Sequence, residues 1–211
     1  MKTNQLIDIL AREAGPAPRA VVFRRLVLAG LFGLLSSSLL ALLMIGPLPT
    51  EILYGAPTWL KLTYALAVVL SAGLLTGRLA KPLARVRIPR ALLIGSIGAM
   101  LLIGLLALIL TPTDARLAAI LGKTWLQCPW ALMGFSLPAL AGILWALRGL
   151  APIQAEQTGW AAGLLAGALG AMGYALACPE SSSTFVAIWY TIGILMTGAI
   201  GRFLGPLVLR W

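Results

Sequence analysis

The chain has no histidine, only two cysteines, and only six acidic residues among 211. Hydrolysis or group transfer requires a poised acid, base or metal site. The six acids are Asp8, Glu13, Glu51, Asp114, Glu156 and Glu180. All fall in a polar N-terminal tail or in short connections between apolar runs, so no such site is visible, and neither an enzymatic activity nor a cofactor is expected. Ionisable side chains inside membrane spans mark proton relays and ion pathways. None of these acids is placed there, which weakens a transporter reading. Charged residues are 10% of the chain, against about 25% in a soluble domain.

Apolar residues fill the space that charge leaves. They make up 60% of the chain, and the mean hydropathy is +0.97. A chain this short cannot bury so much apolar surface in a water-soluble core, so the bilayer must be its solvent. A spanning helix needs about 20 apolar residues. Six runs qualify: Leu26–Ile45, Trp59–Gly77, Ala91–Leu110, Trp125–Leu147, Gly159–Cys178 and Phe185–Gly205. The connections carry Gly-Pro or X-Pro punctuation at Gly46-Pro47, Lys81-Pro82, Thr111-Pro112 and Ala151-Pro152. The expected architecture is an all-α membrane protein with six transmembrane helices (residues 26–211) behind a short cytoplasmic N-terminal segment and linker (residues 1–25).

The net charge of +10 is unevenly placed. Thirteen of the sixteen basic residues fall on one side of this topology: Lys2, Arg12, Arg19, Arg24 and Arg25 in the tail, Arg78, Lys81, Arg85, Arg87 and Arg90 in the second connection, and Arg148, Arg202 and Arg210. Lys61, Arg116 and Lys123 fall on the other. The positive-inside rule then places both termini in the cytoplasm. No aromatic-basic module accompanies the charge, so it reads as topology and contact with membrane lipids rather than direct nucleic-acid binding. Tyr54, Trp59, Trp125, Trp130 and Tyr174 fall near outer helix ends, where a headgroup belt is expected.

Three hydroxyls, Ser36 to Ser38, lie inside the first run and suit hydrogen bonds to backbone or to a neighbouring helix. Glycines recur every four residues at Gly159, Gly163 and Gly167, at Gly201 and Gly205, and at Gly73 and Gly77. Small residues at this spacing let helices approach closely in lipid, either within the chain or across a homodimer.

Cys128 and Cys178 are each followed by proline. Helix four descends from the first, and helix five returns to the second over a similar length, so both thiols arrive at similar depth on the outer side. In a bacterium that side is oxidising. Three readings compete: the pair is structural, as a disulfide or as buried thiols; it senses redox change or a thiophilic metal; or the shared depth is coincidence. Two soft ligands fall short of the four of a structural zinc site, yet thiolates favour thiophilic metals.

The tail reads as a short amphipathic helix that Thr3 can cap and Gly15-Pro16 ends. Leu6, Ile7, Leu10 and Ala14 share one face, while Asp8, Arg12 and Glu13 lie largely elsewhere. About 12 residues of helix are marginal in water alone, so the apolar stripe needs a surface. The near-neutral polar face favours a protein groove over lipid, with docking on the bundle itself as the other option.

The chain resembles the NrsF family of membrane anti-sigma factors, which restrain extracytoplasmic-function sigma factors in proteobacteria. The resemblance rests on MKTNQLIDILARE at the N-terminus, RLAKP (78–82), FSLPAL (135–140), ALRGLAP (146–152), the stretch from Gly163 through CPESSSTFVAIWY to Tyr190, and GPLVLRW (205–211). It implies a multi-pass protein of the bacterial inner membrane whose cytoplasmic N-terminal segment holds the sigma factor through Leu6, Ile7, Leu10 and Asp8. It also implies that Cys128 and Cys178 are the outer-face cysteines that receive the signal. The rival from another class is a small membrane transporter or channel component, which would need a polar, water-lined path. A membrane scaffold without a regulatory client is the third reading.

Overall fold

The computed structural model describes residues 21–81, 85–150 and 152–209. The tail helix and its face of Leu6, Ile7, Asp8 and Leu10 lie outside the described residues. Among those described, all regular structure is helical. Six long helices follow one another: α1 (Val21–Met44), α2 (Ala56–Leu79), α3 (Arg87–Leu110), α4 (Cys128–Arg148), α5 (Ala155–Ala175) and α6 (Ser183–Val208). Two short helices, Thr50–Leu53 and Arg116–Leu121, sit in the connections before α2 and α4.

Local chemistry sets the helix ends. Gly46 takes φ +95° just past α1, a backbone state open to glycine at little cost, and Pro47 follows. Pro57 and Pro129 occupy the first turns of α2 and α4, where the missing N–H would have no helical partner. The Ser182 side chain caps α6 by accepting from Phe185 N at 3.3 Å. α6 then passes through a π turn, Val186–Tyr190, before resuming α geometry at Thr191.

Five of these helices, all but α5, are long and apolar enough to cross a membrane. α5 is rich in glycine and alanine, which lowers its hydropathy, and it is the most enclosed element. It packs against α1, α2, α4 and α6, and almost its whole length from Thr158 to Ala175 is buried. The converse holds for α1 and α3. Leu28, Leu31, Leu35, Leu39 and Leu43 on α1, and Ile94, Leu102, Leu105 and Ile109 on α3, are exposed and have no protein to cover them. An apolar outer shell around a small-residue centre suits a lipid environment, where close packing rather than hydrophobicity holds helices together.

The glycine stripes lie inside the chain. A Cβ at Gly163 would come 2.5 Å from Thr197 O and 2.8 Å from Gly198 Cα, and one at Gly201 would meet Gly159 O and come 2.8 Å from Gly163 Cα. The α5 and α6 stripes therefore face one another at backbone contact and are not free for a second copy. Gly77 of the α2 stripe faces Leu26 of α1 at ordinary contact distance. Ser36 Oγ donates to Gly33 O (3.1 Å) and Ser37 Oγ to Gly170 O on α5 (3.4 Å), the backbone role expected for these hydroxyls.

The helices run alternately up and down between two ends. At the basic end, Arg90 at the start of α3 bonds Gln157 of α5, and Arg202 near the end of α6 pairs with Glu156 of α5. Arg25 of α1 lies against Gly149, just after α4. At the opposite end lie both cysteines.

Candidate functional site

The CPESSSTFVAIWY stretch builds the cysteine end, and most of its polar residues have an assigned partner. Glu180 Oε1 accepts from the backbone N–H groups of Lys123 (2.7 Å) and Thr124 (3.1 Å) and from the Thr124 hydroxyl (3.1 Å). This carboxylate clamps the turn that enters α4. Gly122 in that turn has φ +56°, and a Cβ there would come 2.7 Å from Glu180 Oε2, so the clamp requires glycine on both steric and backbone grounds. The Ser182 hydroxyl donates to Ala119 O (2.7 Å), Thr184 to Gly104 O of α3 (2.9 Å), and the Trp189 indole to Ile120 O (2.9 Å). The segment after α5 is thereby fastened to α3, to the short helix Arg116–Leu121 and to the start of α4.

Cys128 and Cys178 sit inside this fastening. Both are free thiols with no exposed surface, and their side chains are neighbours. Similar depth was legible in the sequence, and the fold supplies the lateral proximity. Cys128 is the first residue of α4, a little later than the expected start at Trp125. Cys178 lies three residues past the end of α5, not within that helix as the expected run to Cys178 has it. Its N–H still bonds Tyr174 O at 2.9 Å, which keeps the final turn closed.

Three groups complete the cluster. Lys61 of α2 is fully buried, and its Nζ donates to the carbonyl oxygen of Cys178 at 2.7 Å. Tyr174 neighbours Cys128, and Tyr190 neighbours Cys178. The two tyrosine rings lie 5.7 Å apart, and Phe135 packs 6.1 Å from Tyr174. The Tyr190 hydroxyl is fully buried beside the Cys178 thiol and has no closer hydrogen-bond partner. It is carried on the π turn, a distortion frequent at functional sites. Beside it, Tyr64 of α2 and Thr191 of α6 share a 2.7 Å hydrogen bond.

Two expectations are corrected here. Lys61 lies at the cysteine end, on the side expected, but it is buried in the bundle rather than in contact with lipid headgroups. It stands in α2 within the apolar run that begins at Trp59, and a buried charge requires partners that only the converging helices provide. Tyr174 is not part of an aromatic belt, because α5 is central and its end is covered by α4 and α6. Tyr54, Trp59 and Trp130 are exposed, as a belt requires. The signal for Lys61 was present in the sequence: an ionisable residue inside a span is a functional candidate by default. Tyr190 gave no such signal, because a π turn has no simple sequence mark.

Among the described residues no three histidine, cysteine or acidic side chains gather into a metal site. The soft pair Cys128 and Cys178 stands alone, with a buried cation beside it. The arrangement sets two buried thiols beside a buried ammonium, so any charge that develops on sulfur is close to Lys61.

Comparison with known proteins gives a consistent picture. The family profile described as NrsF, negative regulator of sigma F, matches residues 10–211. The chain is 37% identical over 216 residues to the anti-sigma-F factor NrsF of Caulobacter vibrioides (strain NA1000 / CB15N), with both chains covered in full. It is 34% identical over 214 residues to a probable anti-sigma-F factor NrsF of Azospira oryzae (strain ATCC BAA-33 / DSM 13638 / PS), again over the full length of both. No solved structure matches.

Proposed function

Because the chain belongs to the NrsF family of negative regulators of sigma F, a regulatory and non-enzymatic class, we propose that it is a multi-pass inner-membrane anti-sigma factor. The full-length match to anti-sigma-F factors carries this reading. Residues 1–25 form the cytoplasmic segment that holds an extracytoplasmic-function sigma factor, with Leu6, Ile7 and Leu10 in a groove of the partner and Asp8 at its rim. Residues 26–211 form the membrane domain.

All six long helices cross the bilayer in this reading. α5 can do so with many glycines because its neighbours, not lipid, surround it. The basic end faces the cytoplasm. With Lys61 buried, only Arg116 and Lys123 remain as outer cations, which sharpens the charge bias that the positive-inside rule uses. A groove of about 730 Å³ between α1 and α4 at the basic end, lined by Leu28, Phe32 and Trp145 beneath Arg25 and Arg148, suits an acyl chain under an anionic headgroup. Since the α5 and α6 stripes are occupied within the chain, the mechanism needs no second copy.

The signal acts at Cys128 and Cys178. Oxidation or capture of a thiophilic metal changes the packing where α2, α4, α5 and α6 meet, and the change reaches the tail through the bundle. By linkage the signal must favour one bundle state over the other; a tenfold release of the sigma factor requires only about 1.4 kcal/mol of differential binding. The test is co-purification of the sigma factor with the full-length protein from membranes, before and after treatment with an oxidant or a thiophilic metal. The reading predicts capture before treatment and release after it, with release lost in Cys128→Ser and Cys178→Ser. Failure of the full chain to capture any sigma factor overturns it.

A further inference from the structure

We propose that Lys61 is the charge-selecting residue of the dithiol site, and that the ligand it selects is a soft monovalent d¹⁰ cation held between two thiolates. This inference rests on the reading of Cys128 and Cys178 as the signal site. Four observations carry it.

The two thiols are neighbours, fully buried, and come from different elements. Among the described residues no third histidine, cysteine or carboxylate joins them as a ligand group. Glu180, the nearest candidate along the chain, has Oε1 committed to three donors of the α4 entry turn. A site that stops at two sulfurs suits ions content with linear coordination. Zinc seeks four ligands, whereas soft monovalent ions accept two thiolates.

The third observation is the charge of the pocket. Lys61 has no exposed surface, and no carboxylate lies within salt-bridge distance of its Nζ among the described residues. One hydrogen bond to Cys178 O leaves two of its three donors for an anion. The fourth is the Tyr190 hydroxyl, which is buried beside Cys178 with no closer hydrogen-bond partner and is a donor available to a charged sulfur.

The charge balance then distinguishes the ions. A monovalent cation displaces both thiol protons to water and forms two metal–sulfur bonds, with no change of oxidation state. The bis-thiolate complex carries one negative charge, and Lys61 brings the pocket to neutrality. A divalent cation in the same place forms a neutral complex and leaves the lysine as uncompensated as it is beside two neutral thiols, so only the monovalent ion gains the charge contact in the low-dielectric interior.

The test uses the reduced full-length protein in detergent, titrated separately with Ag⁺ and Hg²⁺. Binding is read as metal retained after desalting and as protection of the two thiols from a maleimide. The wild type should hold Ag⁺, and the Cys128→Ser/Cys178→Ser double variant should not. Lys61→Met should weaken Ag⁺ by about tenfold or more, the scale of one lost buried charge contact, and hold Hg²⁺ as well as the wild type or better. Lys61→Arg, which keeps the charge, should retain the wild-type preference. Lys61→Gln serves in place of Lys61→Met if the latter does not elute as a single species.

An unchanged ratio of Ag⁺ to Hg²⁺ affinity without the charge at residue 61 overturns the role of Lys61, and so does wild-type protein that holds no Ag⁺. Either result leaves the cysteine reading standing. That reading fails separately if a strain carrying both Cys→Ser changes still induces the sigma-dependent promoter normally.

Discussion

The buried Lys61 ammonium donates to the carbonyl oxygen of Cys178 at 2.7 Å, which ties the N-terminal turns of α2 to the loop that follows α5. The bond spans 117 positions in sequence and crosses the point where both thiols sit. Among the described residues no carboxylate lies within salt-bridge distance of this ammonium, so the position of the loop and the burial of the lysine depend on one another.

Both thiols act as one unit if they receive the signal. Cys128→Ser and Cys178→Ser should each blunt induction by an oxidant or thiophilic metal while basal repression stays intact, and the double variant should be no worse than either single one. A promoter reporter checks this, with immunoblots of the membrane fraction. Lower abundance with constitutive promoter activity is the contrary result and would make the pair structural.

The tail's apolar face should carry repression. Burying a leucine or isoleucine gains roughly 1.5–3 kcal/mol, so Leu6→Asp or Leu10→Asp should raise sigma-dependent transcription at unchanged membrane levels. Arg12→Ala should matter less, since an exposed ion pair is worth under about 1 kcal/mol. A Leu6→Asp/Leu10→Asp variant that represses normally would remove this face from the mechanism.

The Glu180 carboxylate should guard access to the thiols. Glu180→Ala leaves the Lys123 and Thr124 N–H groups without their acceptor, at a cost of about 1–3 kcal/mol where no water replaces it. Maleimide should then modify Cys178 faster in the variant than in the wild type. Equal rates would mean that the clamp does not control the pocket.

Added volume should discriminate the glycines. Gly163→Val and Gly201→Val place carbon against backbone of the facing helix, and overpacking of this kind costs about 1–3 kcal/mol or more. Both should lower the thermal midpoint of the detergent-solubilised protein. Gly95→Ala, where a Cβ meets nothing within 4 Å, should leave it unchanged or raise it slightly, because alanine is the better helix former.

The orientation is tested by labelling. In a background without Cys128 and Cys178, a cysteine at position 15 should resist a membrane-impermeant maleimide in intact cells, and one at position 123 should react. The reverse pattern would invert the topology.

What the sequence determined by itself is everything that depends on distance along a helix. Run lengths and proline punctuation marked the long helices, with ends displaced by up to five residues in all six. The uneven basic residues marked one end of the bundle, and the lengths of helices four and five placed Cys128 and Cys178 at one depth. Hydropathy understated α5, because glycine and alanine lower its score while its neighbours, rather than lipid, cover it. The tertiary structure decided what depends on position around the bundle. It set the two thiols side by side, turned Lys61 inward onto the Cys178 carbonyl, and brought Tyr174 and Tyr190 against the sulfurs. Depth follows from a rise per residue that every helix shares. Lateral neighbours follow from which faces pack, and here the facing glycines of α5 and α6, together with the π turn before Thr191, set that arrangement.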